Sequence, residues 1–171
     1  MLRKGNIQLR ALETHDLEWL FSIENNEDFW EISHTIQPFS KEILAAYIAQ
    51  AHLDIYSVKQ LRLVIEYQGK AVGLIDLFDF DPLHHRAGVG ILVLPAYQSK
   101  GIAGTSLEML IDYSKNILQL HQLYANITAD NTKSIRLFQA AGFEICGTKK
   151  EWIYSHNTYK DEHILQLLFN T

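Results

Sequence analysis

The sequence predicts an α/β protein of the α+β type, in which one mixed sheet carries helices on its faces. Segments whose apolar residues alternate with polar ones, as in half-buried strands, are interleaved with segments whose apolar residues recur every three or four positions, as in amphipathic helices. The chain has 171 residues, of which 47% are hydrophobic, and this is enough for one core. No linker rich in glycine and serine divides it, so we expect residues 1–171 to form a single domain.

The first third of the chain predicts one strand followed by two helices. The expected segments are a strand at 7–11, a helix capped by Thr14, an irregular loop at 25–38 and a helix capped by Ser40. Threonine and serine side chains accept hydrogen bonds from the first free N–H groups of a helix, and they therefore mark the two helix starts.

Three strands of a meander are expected next, at 61–67, 70–80 and 85–94. Gln68-Gly69 is typical of a tight turn between the first two strands, and Asp81-Pro82 interrupts the chain before the third.

The second half of the chain alternates helices with strands. The expected segments are a helix at 101–116, a strand at 123–128, a helix at 132–141 that ends at Gly142, and strands at 143–150 and 160–169. The whole order is β-α-α-β-β-β-α-β-α-β-β. Because a helix joins the fourth strand to the fifth, we expect these two strands to be parallel.

The composition excludes several classes of protein. Cys146 is the only cysteine, so no internal disulfide can form, and we expect its thiol to be buried as a small apolar group. A formal net charge of −5 disfavours a nucleic acid as partner. No segment is typical of a signal peptide or approaches the roughly 18 apolar residues of a membrane span, so we expect a cytoplasmic protein with no membrane partner.

The histidines give no indication of a metal site. The eight histidines form no H-x-x-x-H pair, and His84 and His85, adjacent on an expected strand, point to opposite faces. We therefore expect no metal ion in this protein.

The segment from Ile91 to Gly104 carries most of the chemical information. An apolar strand ends at Pro95, and after a turn a helix begins at Gly101 and Gly104. Glycines let a ligand approach the main chain, and the first N–H groups of a helix have no partner within it. With the helix dipole they favour a phosphate or pyrophosphate. The alternative is that the two glycines only allow tight packing of helix on strand.

Two motifs occur in this half of the chain at a defined separation. The first is Gln98-x-x-Gly101-x-Ala103, and the second, about thirty residues later, is Asn131-x-x-Ser134-x-x-x-Phe138-x-x-x-Gly142-Phe143. Together they resemble the GNAT superfamily of N-acetyltransferases, over essentially the whole chain. Three further segments look most like its spermidine N-acetyltransferase branch, with the ribosomal-protein N-terminal acetyltransferases close behind: Glu24-Asn25-Asn26, His84-His85-Arg86-Ala87 and Gln98-Ser99-Lys100-Gly101.

The resemblance implies a single acetyltransferase domain that uses acetyl-CoA as the acetyl donor. It implies that the fourth and fifth strands are splayed and admit the pantetheine arm, while the pyrophosphate lies on the amides of the following loop. The implied cofactor-binding residues are Ile91, Leu92, Val93, Gln98, Ser99, Lys100, Gly101, Ile102, Ala103, Gly104, Asn131 and Ser134. For Asn131 and Ser134 the alternative, which can coexist, is simple helix capping.

Acetyl transfer to an amine needs an unprotonated amine, a polarised thioester carbonyl and a departing thiolate. A main-chain N–H in the segment 91–94 is a candidate for polarising the carbonyl. Asp76, on the strand beside the expected cleft, is our candidate for orienting or deprotonating the amine. The alternative is that Asp76 is an ordinary solvated carboxylate.

The chain departs from the family at Phe138, where related enzymes often carry a tyrosine that protonates the leaving sulfur. Three outcomes are open: a slower enzyme, another donor such as Tyr124 or water, and a protein that binds acetyl-CoA without turnover. We favour an active enzyme whose general acid is unassigned.

The acceptor is expected to be a small amine, with a polyamine such as spermidine favoured by acidic residues in two segments. These residues are Glu24, Glu27, Asp28, Glu31, Asp76, Asp79 and Asp81. The alternatives are a protein N-terminus as acceptor, a non-catalytic acetyl-CoA-binding protein, and a charged loop that is merely solvated. The polyamine branch tends to carry an acid where this chain has Gly88. The resemblance also implies a homo-oligomer.

Overall fold

The computed structural model describes residues 2–169. Its strands are β1 (Arg3–Lys4), β2 (Ile7–Ala11), β3 (Leu61–Tyr67), β4 (Lys70–Asp81), β5 (Arg86–Val93), β6 (Gln122–Thr128), β7 (Glu144–Ser155) and β8 (Thr158–Leu168). Its helices are α1 (Leu17–Glu24), α2 (Glu27–Ser33), α3 (Lys41–Ala49), α4 (Ile55–Val58), α5 (Ile102–Asn116) and α6 (Thr132–Ala140). Short 3-10 turns cover Thr14–Asp16 and Pro95–Tyr97. No helix within residues 2–169 is long and apolar enough to cross a membrane.

The chain divides into two compact units, residues 11–54 and the rest of the described chain. In the smaller unit α1 packs against α3, and each helix buries two apolar side chains: Leu20, Ile23, Leu44 and Ile48. The larger unit holds the sheet together with α5 and α6. The single domain expected from the sequence stays a prediction.

The predicted mixed sheet is confirmed. Its eight strands lie in the order β1-β2-β3-β4-β5-β6-β8-β7. β5 and β6 are parallel, whereas the pairs β3–β4, β4–β5, β6–β8 and β7–β8 are antiparallel. The crossover through α5 is what allows two successive strands to run in the same direction.

The two faces of the sheet differ in character. One face packs with α5 and α6 into the main core, which includes Ile65, Ile75, Leu77, Val89, Leu107, Leu110, Leu123, Ala125 and Phe138. Side chains alternate along a strand, so the intervening residues lie on the opposite face. We call this opposite face the polar face and define it by Asp76, Phe78, Gly88, Gly90, Tyr124 and Asn126.

Most expected elements are confirmed within a few residues, and the caps explain several of their bounds. The Ser40 hydroxyl accepts from the main-chain N–H of Ile43 at 3.2 Å, as expected for the start of α3. Gly142 has φ +96°, so it adopts the left-handed conformation expected after α6. The cap expected at Thr14 is wrong, because α1 begins only at Leu17.

The irregular loop expected at 25–38 is wrong in part, because α2 occupies its centre. The Asn26 side chain accepts from the main-chain N–H of Asp28 at 3.0 Å and so caps the helix. Glu27 and Asp28 stand in its first turn, where carboxylates favour the positive end of the helix dipole. The helix buries no residue, and this explains why the sequence shows no apolar period there.

The closing hairpin differs from expectation in length and in its cysteine. β7 and β8 continue to a turn at His156 and Asn157, both with positive φ, where the sequence predicted a gap at 151–159. Cys146 is exposed instead of buried, because it occupies a register shift of β7 between Ile145 and Gly147.

Candidate functional site

A split in the sheet between β5 and β6 is the main feature of the candidate site. The two strands pair at only three positions, Arg86 with Gln122, Ala87 with Leu123 and Gly88 with Tyr124. Beyond these pairs both strands continue, β5 as far as Val93 and β6 as far as Thr128, without further register between them. The splayed strands that the resemblance implied are therefore present.

The main chain of β5 offers hydrogen-bonding groups to this split. In an antiparallel ladder, alternate residues direct their N–H and C=O groups to the two sides of the strand. The N–H of Leu94 donates to the carbonyl of Val72 at 2.9 Å. Leu92 lies two residues earlier, so its main-chain N–H and C=O groups also point towards β4. Ile91 and Val93 therefore face the split, whereas the main-chain groups of Leu92 belong to the β4 ladder.

The loop after β5 leads from the split to the first turn of α5. Its backbone has positive φ at Ser99 (60°) and at Gly101 (77°), a conformation that glycine adopts without strain. The first N–H groups of α5, at Ile102, Ala103 and Gly104, lack partners within the helix by the geometry of a helix start.

The two glycines of this loop do not serve tight packing. A Cβ atom added at Gly101 or at Gly104 would meet no heavy atom within 4 Å. Gly101 is exposed and Gly104 is half-buried. The alternative reading, in which the glycines bring helix and strand together, therefore lacks the contacts it needs, and the space over the loop is open to a ligand.

Gln98 connects β5, the loop and α6. Its Nε2 donates to the carbonyl of Val93 at 2.9 Å, and its Oε1 accepts from Nζ of Lys133. Lys100 belongs to the loop itself, and its Nζ lies 5.3 Å from the centre of the Tyr97 ring. The loop therefore carries one ammonium group and is contacted by a second, and this favours a multiply charged anion.

Asn131 and Ser134 stand at the start of α6, and the first of them is a helix cap. Its Oδ1 accepts from the main-chain N–H of Ser134 at 3.1 Å. Both residues are half-buried. Capping is confirmed for Asn131 alone, and the contact of both residues with a coenzyme stays a prediction.

Asp76 lies on the polar face beside the open part of the split. A Cβ atom at Gly90 would come within 3.0 Å of its Oδ1, so the carboxylate covers a strand position that has no side chain. Nη2 of Arg62 lies 3.9 Å from its Oδ2, and 17% of the Asp76 side chain is exposed. This carboxylate is therefore an anchored group and not a freely solvated one.

The other acidic residues proposed from the sequence fall into two groups. Glu24, Glu27, Asp28 and Glu31 belong to the unit of residues 11–54, at the end of α1 and in α2. Asp79 and Asp81 end β4, near Asp76 on the same strand. Asp81 accepts from the main-chain N–H groups of Leu83 and His84. Its hydrogen bonds with the main chain and the side chain of His84 lower the pKa of its carboxyl to about 2.

A cavity of about 500 Å³ opens over the polar face, where β5 and β6 are still paired. The sequence alone does not predict it, because it depends on the register of five strands, β4 to β8. Its lining residues are Asp79, Asp81, Arg86, Gln122, Tyr124, Asn126, Cys146, Ile164 and Gln166. The mixture of carboxylates, one guanidinium and three amides suits a polar, amine-bearing molecule.

Phe138, at the position where related enzymes often carry tyrosine, is a core residue. Its ring packs edge-on against Phe143, with ring centres 5.0 Å apart and an interplanar angle of 79°. Only 2% of Phe138 is exposed. No hydroxyl can act from this position.

No metal centre is evident in the described part of the chain. Across residues 2–169, histidine, cysteine, aspartate and glutamate side chains nowhere gather in a group of three suited to a metal ion. The expectation of a metal-free protein stays a prediction.

The split sheet and its glycine-containing loop are the features that the resemblance to N-acetyltransferases implied, and comparison with known proteins agrees. A family profile described as "Acetyltransferase (GNAT) domain" matches residues 6–144. The chain therefore belongs to the GNAT family of acetyltransferases, and it is an N-acetyltransferase of the acyltransferase class.

Three relatives show how far this likeness extends. The spermidine N(1)-acetyltransferase of Escherichia coli K12 is 26% identical over 159 residues, which cover 91% of this chain and 82% of the relative. The crystal structure of the Vibrio cholerae spermidine N-acetyltransferase with CoA and spermine superposes with a TM-score of 0.86, at 27% identity and 96% coverage of both chains. A dodecameric structure of the same V. cholerae enzyme gives a TM-score of 0.80 at 28% identity, covering 96% of this chain and 95% of that one.

Proposed function

We propose that the protein transfers the acetyl group of acetyl-CoA to a primary amine, with a polyamine such as spermidine as the preferred acceptor. Direct attack of the amine in a ternary complex is the proposed route. The observation that carries the proposal is the split between β5 and β6, which leads to the open loop before α5. The V. cholerae relative that binds CoA and spermine supports both the donor and the acceptor class.

On the donor side, the pantetheine arm would pair with the main chain of Ile91 and Val93, as a missing strand would. The pyrophosphate would lie on the N–H groups of residues 98–104, and Lys100 and Lys133 would balance its charge. In the structure the carbonyl oxygen of Val93 already accepts a hydrogen bond from Nε2 of Gln98. Binding of the arm therefore requires this side chain to move or to share its acceptor.

On the chemical side, a main-chain N–H that faces the split would polarise the thioester carbonyl, as an oxyanion hole does. An alkylammonium has a pKa near 10, so the amine must lose a proton before it attacks. Asp76 is the proposed group for this step, because its carboxylate covers Gly90 beside the open part of the split. Nη2 of Arg62, 3.9 Å from its Oδ2, helps to hold the carboxylate in this place.

On the acceptor side, Asp76 and Asp79 place two carboxylates in the second half of β4. The cavity over the polar face gives an elongated amine room to bind. A protein N-terminus is the second candidate acceptor, since the cavity is open. The glycine at position 88 removes one acid that the polyamine branch tends to carry, and this makes the acceptor the first property to test.

We also propose a homo-oligomer located in the cytoplasm. β7 forms an edge of the sheet, and the closing hairpin of β7 and β8 exposes Trp152, Tyr154 and Tyr159. An exposed edge strand with apolar side chains is a surface on which a second copy can pair. The dodecameric relative supports such an assembly.

Release of free CoA thiol from acetyl-CoA tests the proposed function. The protein is mixed with spermidine, with other small amines and with peptides that have a free N-terminus. Fast release with spermidine supports the proposal, and release with peptides alone assigns the second acceptor. Calorimetric binding of CoA without release in any mixture would leave a coenzyme-binding protein and would end the enzymatic proposal.

A further inference from the structure

Tyr124 occupies the closed end of the split. It is the last residue of β6 that pairs with β5, opposite Gly88, and from there the two strands separate. The split extends from this point to Val93, which is roughly 17 Å at about 3.3 Å per residue. An arm that enters from the loop at 98–104 and follows β5 has its sulfur end nearest to this closed end.

The Tyr124 side chain projects over the polar face and is held there by stacking. Its ring lies edge-on to Phe78, with ring centres 5.8 Å apart and an interplanar angle of 83°. Phe78 in turn lies over Gly88, where an added Cβ would come within 2.3 Å of the Phe78 ring. Gly88, where the polyamine branch tends to carry an acid, thus leaves space for the rings of Phe78 and Tyr124 to meet over β5.

The Tyr124 hydroxyl also has polar surroundings. It donates to Oδ2 of Asp79 at 3.4 Å, a long hydrogen bond that a modest rotation can exchange for another partner. The hydroxyl-bearing side chain lines the cavity of about 500 Å³ through which an acceptor could approach. The titratable groups that face this cavity from the neighbouring strands are Asp79, Asp81, Arg86 and Cys146.

We propose that the Tyr124 hydroxyl is the proton donor to the leaving sulfur, in the role that Phe138 cannot perform. The inference rests on the proposed function, because it requires acetyl-CoA in the split. It assigns this step to a strand residue at the closed end of the split, because Phe138 of α6 offers only a buried phenyl ring.

The step balances without any further reactant. The amine nitrogen attacks the thioester carbon, and the carbonyl electron pair moves to oxygen. When this intermediate collapses, the C–S bond breaks and its electron pair goes to sulfur, which takes the proton of the Tyr124 hydroxyl. The phenolate then regains a proton from the nitrogen that becomes the amide.

The protonation state of the phenol fits this role. Burial raises the pKa of Tyr124, and the charge of Asp79 raises it further, whereas Arg86 acts in the opposite direction. The phenol therefore holds its proton at neutral pH. Because catalysis needs the protonated form, kcat is expected to fall as the pH rises through this pKa.

Tyr124→Phe tests the proposal, because it removes the hydroxyl and keeps the ring on Phe78. We expect kcat to fall by about 10²- to 10³-fold, with the calorimetric affinity for CoA and the KM of the acceptor within a factor of about two of the parent. Tyr56→Phe, which removes the hydroxyl from an exposed tyrosine of α4 whose ring packs edge-on against Phe80, is the matched control and should keep the parent kcat.

A fluorotyrosine at position 124 separates a catalytic role from a structural one. A more acidic phenol should move the alkaline limb of the kcat profile to lower pH, and a purely structural tyrosine would leave that limb in place. Full activity of Tyr124→Phe beside an active parent would overturn the role of Tyr124 alone. If the parent released no thiol with any acceptor while still binding CoA, the proposed function itself would fail, and Tyr124 with it.

Discussion

Single glycines serve two different purposes around the split. Gly101 is needed for its backbone angle, φ +77°, and no neighbour limits the size of a side chain there. Gly88 lies in β5 and does not have a left-handed φ, but the Phe78 ring fills the space where a Cβ would stand. One glycine therefore belongs to the coenzyme loop, and the other positions the aromatic pair.

Gly101→Ala is expected to weaken CoA binding, because an alanine in the left-handed region costs about 1–2 kcal/mol and shifts the loop amides. Gly5→Ala is the matched control, since Gly5 also has positive φ and no neighbour within 4 Å of its would-be Cβ. Both variants should lose similar stability in urea unfolding, whereas only Gly101→Ala should lose CoA affinity by calorimetry. Equal CoA affinity in the two variants would contradict the loop assignment.

Gly88→Ala is expected to displace Phe78, and with it Tyr124. Overpacking of this kind costs about 1–3 kcal/mol of unfolding free energy. The rate of thiol release should fall together with stability, because the hydroxyl leaves the closed end of the split. Gly147→Ala on β7, where a Cβ meets nothing within 4 Å, is the control and should change neither property. A Gly88→Ala protein as stable and active as this control would refute the stacking argument.

At the scale of elements, the turn between β4 and β5 shapes the acceptor cavity. The ladder shifts register between Phe78 and Asp81, and Asp79 within this irregularity has φ +48° and meets the Tyr124 hydroxyl. Asp81 then closes the turn by accepting from two main-chain N–H groups, from Nδ1 of His84 and from Nη2 of Arg86. Both aspartates therefore have hydrogen-bond partners within the protein when no ligand is bound.

Asp81→Asn is expected to remove an acid-sensitive part of the stability. The pKa of Asp81 is lowered from 3.8 to about 2, so its ionised form stabilises the fold above pH 3.8, and this contribution is lost as the pH falls towards 2. Urea unfolding of parent and variant at a series of pH values measures it. The stability difference between them should shrink as the pH falls from about 4 to 2, and a constant difference would contradict the assignment.

The sequence predicts elements well where one buried face produces a periodic pattern of apolar residues. It predicts them poorly where an element is exposed and has no such pattern. β3 and β6 alternate apolar residues and were placed within one residue. α2 and the outer part of the closing hairpin are largely exposed, so no pattern marked them. The coenzyme loop was predicted from its glycines. The cavity and the place of Tyr124 depend on strand register and on the irregularity at Asp79, which no local pattern encodes.

At the scale of the whole molecule, the closing hairpin exposes large aromatic side chains to solvent in the single chain. Trp152 is 59% exposed and Tyr154 is 62% exposed, and both lie on the edge strand β7. Surfaces of this kind are typical of association between copies.

Trp152→Glu is expected to shift the protein towards smaller species, because it places a charge on this edge. Sedimentation velocity at several concentrations measures the change. Ile117→Glu, at an exposed position after α5, is the matched control and should leave the distribution unaltered. Identical sedimentation of both variants and the parent would show that the hairpin does not mediate assembly.

The brevity of the β5–β6 ladder has a mechanical consequence for the ligand-free protein. Within residues 2–169, three residue pairs are the only strand pairing between β1–β5 on one side and β6–β8 on the other. A coenzyme arm that forms hydrogen bonds with the main chain of Ile91 and Val93 would act as an extra strand. It would strengthen the connection between two parts of the sheet that are otherwise joined by a short ladder. The bound coenzyme would therefore become part of the hydrogen-bonded sheet. Its binding would also reduce motion between β5 and β6, next to the place where the acceptor reacts.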